Sequence, residues 1–158
     1  MKSIFQLIIL GLIATLATVL FISIPPEYAA SANSDASPAY MSKVTRVIDG
    51  DTLEVQAMIW PKIVVSVSVR VAGVDTPETF QPKCPEEKAL GMKAKELVQK
   101  LFPPGSVALL RNVAEDKYSG RVIAKVYTTD GTDLAELLIT HGLAKPYFGK
   151  TKSNWCNQ

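Results

Sequence analysis

Between Ser42 and Val74 the chain passes through three apolar stretches, each cut short by a turn signal, and this pattern restricts its fold more than any other feature. Val44, Arg46 and Ile48 alternate with Thr45 and Val47, the two-residue period of a strand with one face buried. Asp49-Gly50-Asp51 follows as a turn signature. Residues 52–59 and 63–71 are rich in Val and Ile, with Trp60-Pro61-Lys62 between them as a hairpin end. Asp75-Thr76-Pro77 stops the third strand, because a residue ahead of proline is pushed out of the helical region.

The pattern then changes period. Pro85 suits a first helical turn, and Glu86 and Glu87 suit the positive end of the helix dipole. Leu90, Lys93, Ala94, Leu97, Val98 and Leu101 recur at three- and four-residue spacing, predicting a helix over 85–101 that Pro103-Pro104-Gly105 ends. Residues 107–113 and 121–128 read as strands, and 134–140 as a short helix with Gly142 as its C-cap. Three strands, a helix, two strands and a helix predict an α+β, mainly β domain. The expected form is a five-stranded OB-type barrel with two packed helices. Other α+β folds share this order of elements.

Ahead of the domain, residues 4–24 carry no charge and are rich in Ile and Leu. At about 1.5 Å per residue such a helix reaches roughly 30 Å, enough to span a bilayer. It exceeds the usual apolar region of a signal peptide, yet Ala30-Ser31-Ala32 offers a cleavage site after the helix breakers Pro25 and Pro26. Signal peptide and membrane anchor both stand as readings of residues 1–24. Lys2 on the short side places the rest of the chain outside the cytoplasm in either case. The expectation is a periplasmic or secreted chain, or one anchored by residues 4–24, that touches a membrane at least transiently. Residues 25–41 are dominated by Ala, Ser, Pro and Asn without a period and read as a flexible linker. The folded domain is expected over 42–158, with a net charge of about +3, compatible with a polyanionic partner.

Cys84 and Cys156 are the two cysteines. In an oxidising compartment an even pair predicts a bridge, which over so long a loop contributes on the order of 4 kcal/mol; a reducing compartment leaves two free thiols. His141 is the single histidine, which excludes mechanisms needing two. It is expected to interact with the C-terminal end of its helix.

The charged residues at strand ends carry the chemistry. Asp51 closes the first turn, Arg70 lies late in the third strand, Asp75 and Glu78 follow at once, and D-K-Y-S-G-R (116–121) leads into the fifth strand. Taken singly they are bland: turn acids, with Asp49 a better structural candidate than Asp51, and strand-end cations. Gathered on one rim they form three carboxylates and two guanidiniums. Two carboxylates suit a hard divalent cation such as calcium. Guanidiniums grip phosphate through paired hydrogen bonds. The remaining carboxylate can position or deprotonate water. Metal and arginines together neutralise charge building on phosphoryl oxygens, so the predicted reaction is phosphodiester hydrolysis. Tyr118 and Tyr147 are candidates for stacking on a base, while Trp60 and Trp155 read as packing or hairpin-surface residues.

V-I-D-G-D-T-L (47–53), R-V-A-G-V-D-T-P-E (70–78), Y-S-G-R (118–121) and L-I-T-H-G-L-A (138–144) together resemble the staphylococcal nuclease (thermonuclease) family, over most of residues 44–144. The resemblance implies an OB-fold barrel and a calcium-dependent nuclease, a monomer acting on DNA and/or RNA. Residue by residue it implies Asp51 and Asp75 as calcium ligands, with the Thr76 backbone carbonyl beside them. It implies Glu78 as the general base, and Arg70 and Arg121 on the scissile phosphate. It implies Tyr118 and Tyr147 near the nucleotide, with Lys117 as a phosphate contact. Three departures stand out. Ser119 lengthens the turn before Gly120-Arg121, the hairpin at Trp60-Pro61 is longer than in the type member, and the chain has no room for a long third helix. A Cys84–Cys156 bridge would anchor the tail in its place. The other functional class is a non-catalytic OB-fold module that binds nucleic acid; the five intact site residues favour the enzyme.

Overall fold

A computed structural model describes residues 37–157. The apolar segment at 4–24, the cleavage motif at 30–32 and most of the 25–41 linker lie outside the described residues.

The strands are β1 (Tyr40–Asp49), β2 (Thr52–Trp60), β3 (Ile63–Val71), β4 (Val74–Asp75), β5 (Val107–Glu115), β6 (Arg121–Tyr127) and β7 (Lys145–Pro146); the helices are α1 (Pro85–Leu101) and α2 (Leu134–Thr140). Five strands close a barrel in the order β1-β2-β3-β6-β5, as the order of elements predicts. Neighbours are antiparallel except β3 and β6, which run parallel with Ser68 opposite Arg121 and Arg70 opposite Ile123. β5 closes on β1 through Lys43 opposite Val107. The pair β4–β7 forms a separate small ribbon, which the periodicity did not reveal because each strand is two residues long. No helix among the described residues is long and apolar enough to cross a membrane.

The barrel interior is filled by Val44, Val47, Leu53, Val55, Val69, Val71, Leu110 and Val126, all nearly inaccessible to solvent. Since neighbours along a strand face opposite ways, burial of Val69 and Val71 turns Ser68 and Arg70 outward. The simple alternation expected in β1 is corrected. A register shift between Val44 and Arg46 moves the inward set from Val44 to Val47 and leaves Arg46 exposed, where it pairs with Glu54. β1 also begins at Tyr40, within the stretch read as linker.

The buried stripe of α1 is Glu87, Gly91, Ala94 and Val98, a narrower face than the periodicity suggests; Lys93 is exposed, and Phe102 continues the stripe past the helix end. The cap of α1 is Cys84, whose Sγ accepts from the Glu87 amide at 3.4 Å. Glu87, buried at the N-terminal turn, accepts from the Lys83 amide at 2.6 Å. Asp133 caps α2 by accepting from the Ala135 and Glu136 amides. His141 ends that helix, with Nδ1 2.8 Å from the Leu137 carbonyl, as its position predicts, and Gly142 follows.

Cys84 and Cys156 are joined in a disulfide. Trp155, beside the bridge, is buried, and the Lys145 ammonium lies over its ring at 4.4 Å. Lys145 also donates to the Asn154 carbonyl at 3.2 Å. The last residues therefore form a strap tied back to the start of α1.

Candidate active site

The β1–β2 turn supplies the first acid. Asp49 is its structural member, its Oδ1 accepting from the Gly50 amide at 2.8 Å. Burial pushes the Asp49 carboxyl above its usual range, and the Gly50 amide only partly opposes this. Asp51, two residues on, is buried, and its Oδ1 accepts from the Thr52 hydroxyl at 2.9 Å. Its other oxygen faces Arg70 Nη1 at 2.8 Å. Thr52 and Arg70 are cross-strand partners in β2 and β3, so the sheet register itself sets this pair.

Arg70 is shared. Its Nη2 donates to the Val74 carbonyl at 3.2 Å and lies 4.0 Å from Asp75 Oδ1. The chain turns between them at Gly73, which has φ of +81°, a backbone conformation that L side chains adopt at a cost. That turn brings Asp75 round to the guanidinium and lets the Gly73 carbonyl accept from the Tyr147 amide at 2.8 Å. Tyr147 itself stands 6.0 Å from the Arg70 guanidinium, ring face inward.

Asp75 is almost wholly buried. Its Oδ2 accepts from the Ser153 amide at 3.0 Å. Its Oδ1 is buried without a hydrogen-bond partner, with the Lys152 ammonium 3.7 Å away. Lys152 also contacts Glu78 directly through Nζ. Burial works against the Lys152 ammonium, but Glu78 and then Asp75 outweigh it and raise its pKa above the ordinary lysine value. Among the described residues, Asp51, Asp75 and Glu78 do not draw within 4.8 Å of one another as a trio. Arg70 and Lys152 separate and neutralise them.

The second arginine comes from β6. Arg121 faces Ser68 across the parallel pair, so it projects on the same outer side of the sheet as Arg70. Its Nε donates to Asp116 in a short ion pair. Burial would raise the Asp116 carboxyl, but the Arg121 hydrogen bond and charge, with the Lys117 and Tyr118 amides, hold it below its usual range. Tyr118 lies across this corner, 4.6 Å from the Arg121 guanidinium and 5.0 Å from the Lys117 ammonium.

These groups line one open cleft of about 660 Å³, which takes in Asp51, Arg70, Thr76, Glu78, Lys117, Tyr118, Arg121 and Tyr147. Asp75 opens onto an adjoining hollow that shares Thr76, Glu78 and Lys152 with the cleft. Every candidate site residue named from the sequence thus falls on the cleft or on the hollow beside it. Four further residues shape the site. Asp116 sits inside the D-K-Y-S-G-R motif and was legible as a partner for Arg121. Lys152 and Ser153 had no local signal except their closeness to Cys156. Gly91 is the fourth: a Cβ there would lie 2.6 Å from the Pro77 carbonyl oxygen and 3.1 Å from that of Glu78. The signal was an isolated glycine inside a helical pattern.

The donor set suits a hard cation. Two buried aspartates face the same guanidinium, one of their oxygens lacks a hydrogen bond, and Thr76 is buried beside them. Around the cleft the carboxylates of Asp49, Asp51, Glu78 and Asp116 are matched by the cations of Arg70, Lys117, Arg121 and Lys152.

A family model described as staphylococcal nuclease homologue matches residues 68–157, more than half of the chain. The thermonuclease of Staphylococcus hyicus is 32% identical over 145 residues, 87% of this chain and 80% of that protein. The endonuclease YhcR of Bacillus subtilis is 29% identical over 119 residues, 72% of this chain but 9% of that protein. An uncharacterized protein of Methanocaldococcus jannaschii, MJ1439, is 31% identical over 136 residues, 72% of this chain and 62% of that protein. The chain therefore spans a small part of the endonuclease YhcR and under two thirds of MJ1439. The barrel, its motifs and these matches agree, and the chain belongs to the staphylococcal nuclease family.

Proposed function

We propose that this chain is a nuclease that hydrolyses phosphodiester bonds of DNA and/or RNA with the help of calcium. The observation that carries the reading is the placement of Arg70 and Arg121 on one outer face of adjacent strands, above a pair of buried aspartates and beside Glu78. Two relatives named as nucleases support it.

Arg70 and Arg121 bind the non-bridging phosphoryl oxygens and offset the charge that grows on them. Glu78 accepts a proton from the water whose oxygen attacks phosphorus, and the ester oxygen leaves on the opposite side. Asp51, Asp75 and the Thr76 backbone carbonyl would hold calcium, which when bound supplies added positive charge at the attacked phosphate. Once those aspartates are neutralised in this way, Arg70 keeps donors free for the substrate. Tyr118 and Tyr147 offer ring faces to neighbouring bases, and Lys117 offers a cation to a flanking phosphate. The disulfide supports an extracytoplasmic location, in keeping with the export or anchoring role proposed for residues 1–24.

The test is cleavage of single-stranded DNA and of RNA by the full chain, with calcium, with EDTA, and with Glu78→Gln. Calcium-dependent cutting that the variant loses is expected. Tight binding without calcium-dependent cutting by the parent chain would overturn the enzyme in favour of a nucleic-acid-binding module.

A further inference from the structure

The β2–β3 hairpin outgrows the barrel. β2 is paired with β1 only as far as Ala57, and β3 is paired with β6 only from Ser68 onward. Beyond the Ala57–Val65 pair, residues 58–64 therefore project as a two-stranded ribbon, about 13 Å long at roughly 3.3 Å per residue. The ribbon is apolar and exposed. Met58 is 56% exposed, Trp60 69%, Ile63 50% and Val64 53%. In an ordinary half-buried strand one face is polar. Here Met58 pairs with Val64 on one face, while Ile59 and Val65 occupy the other, so both faces are apolar. A protein groove would need one such face; a ribbon apolar all round suits a medium that surrounds it.

Charge and connectivity identify that medium. Lys62, at the tip, is the sole charged residue between Ala57 and Val69. A tryptophan flanked by a lysine at the end of an apolar element is the chemistry of a lipid headgroup boundary. β1 enters the domain beside the ribbon. Ser42 pairs with Ala57, which sets Met41, 63% exposed, next to Met58 in the register. The chain reaches that strand from the uncharged run at residues 4–24, whose length matches a bilayer.

We infer that the tip of the β2–β3 hairpin is a membrane-docking element that inserts Trp60 and its apolar neighbours into the lipid–water interface. Insertion is shallow, because the ribbon's outer edges carry backbone groups with no strand partner beyond Ala57, and these must stay near the headgroups. The Thr52–Arg70 end of the same two strands holds the cleft, about 26 Å away along β2 at roughly 3.3 Å per residue. Docking therefore turns the cleft toward the aqueous phase, whatever chemistry takes place there.

The experiment reconstitutes the full chain in vesicles of phosphatidylcholine and phosphatidylglycerol carrying a doxyl quencher at a shallow acyl position. Trp60 and Trp155 are the two tryptophans, and Trp155 is buried in the domain. Blue-shifted emission quenched several-fold by shallow doxyl, and lost in Trp60→Ala, is expected. Three results would overturn the inference: vesicle-bound chain whose emission shallow doxyl leaves unquenched, quenching that persists in Trp60→Ala, or a shift that follows protein concentration at fixed lipid, which marks self-association. Trp60 is exposed and outside the cleft, so the variant keeps its fold and its solution activity.

Discussion

Lys152 is the residue whose role is least expected from its neighbours in the chain. Its ammonium touches Glu78 and approaches the unpartnered oxygen of Asp75, so it stands where added positive charge is most favoured. Under the proposed mechanism it must give way before a cation binds and Glu78 accepts a proton. Lys152→Ala is expected to tighten calcium binding about fivefold, the worth of a half-exposed charge pair of about 1 kcal/mol, as read by isothermal titration. Unchanged or weaker calcium affinity would show that the contact does not compete. Glu78→Gln is expected to lower kcat by about 10²–10⁴ with nucleic acid still bound. Asp116 gives a prediction in pH. Its carboxyl is held below the usual range in the fold, so the stability it adds is present above about pH 4, the unfolded aspartate value, and is lost as pH falls through its folded value. Asp116→Asn is therefore expected to destabilise by about 1–2 kcal/mol at neutral pH, with the gap from the parent closing as thermal melts are taken down toward pH 2.

At the level of elements, α1 acts as the backstop of the loop that carries Asp75, Thr76 and Glu78. Gly91 lets the backbone of Pro77 and Glu78 lie against the helix, and Ala94 one turn on meets the β1–β2 turn, where a Cβ at Gly50 would lie 2.8 Å from its own. Gly91→Ala improves local helix propensity by about 1 kcal/mol, yet it places a methyl group 2.6 Å from a backbone oxygen that has no flexible end to move. The loop must shift. The expected result is a net loss of about 1–2 kcal/mol in the melt and a fall in kcat of about 10²-fold, since Glu78 moves with the loop. A variant more stable than the parent with full kcat would remove α1 from this role. The tail strap is the second element. Cys84→Ser with Cys156→Ser is expected to cost about 2–4 kcal/mol and to red-shift the emission of Trp155 as it leaves its buried position. A double variant that melts with the parent would show that packing of Trp155 alone holds the strap.

Over the whole molecule, the legible and the illegible divide by range. Two-residue alternation, turn chemistry at Asp49-Gly50-Asp51, the proline at 77 and the helical stripe after Pro85 act over a few residues, so β2, β3, α1 and α2 could be read directly. The motifs around Asp51, Arg70, Glu78 and Arg121 were legible because each occupies one short segment. The bulge in β1 was not, since an inserted residue leaves no mark on composition and changes which side chains face in only once β2 is paired beside it. Nor were the two-residue strands β4 and β7, too short for any period. The sequence by itself determined the five barrel strands, the two helices, the cysteine pair and the identities of the charged residues. Only the tertiary structure decided that β3 and β6 lie parallel with their arginines on one face, that Gly91 yields space to the Glu78 loop, and that Lys152 crosses to the acids. Each of those depends on groups distant in the chain meeting in space, and such meetings are settled by closure of the barrel around its core, not by local preference.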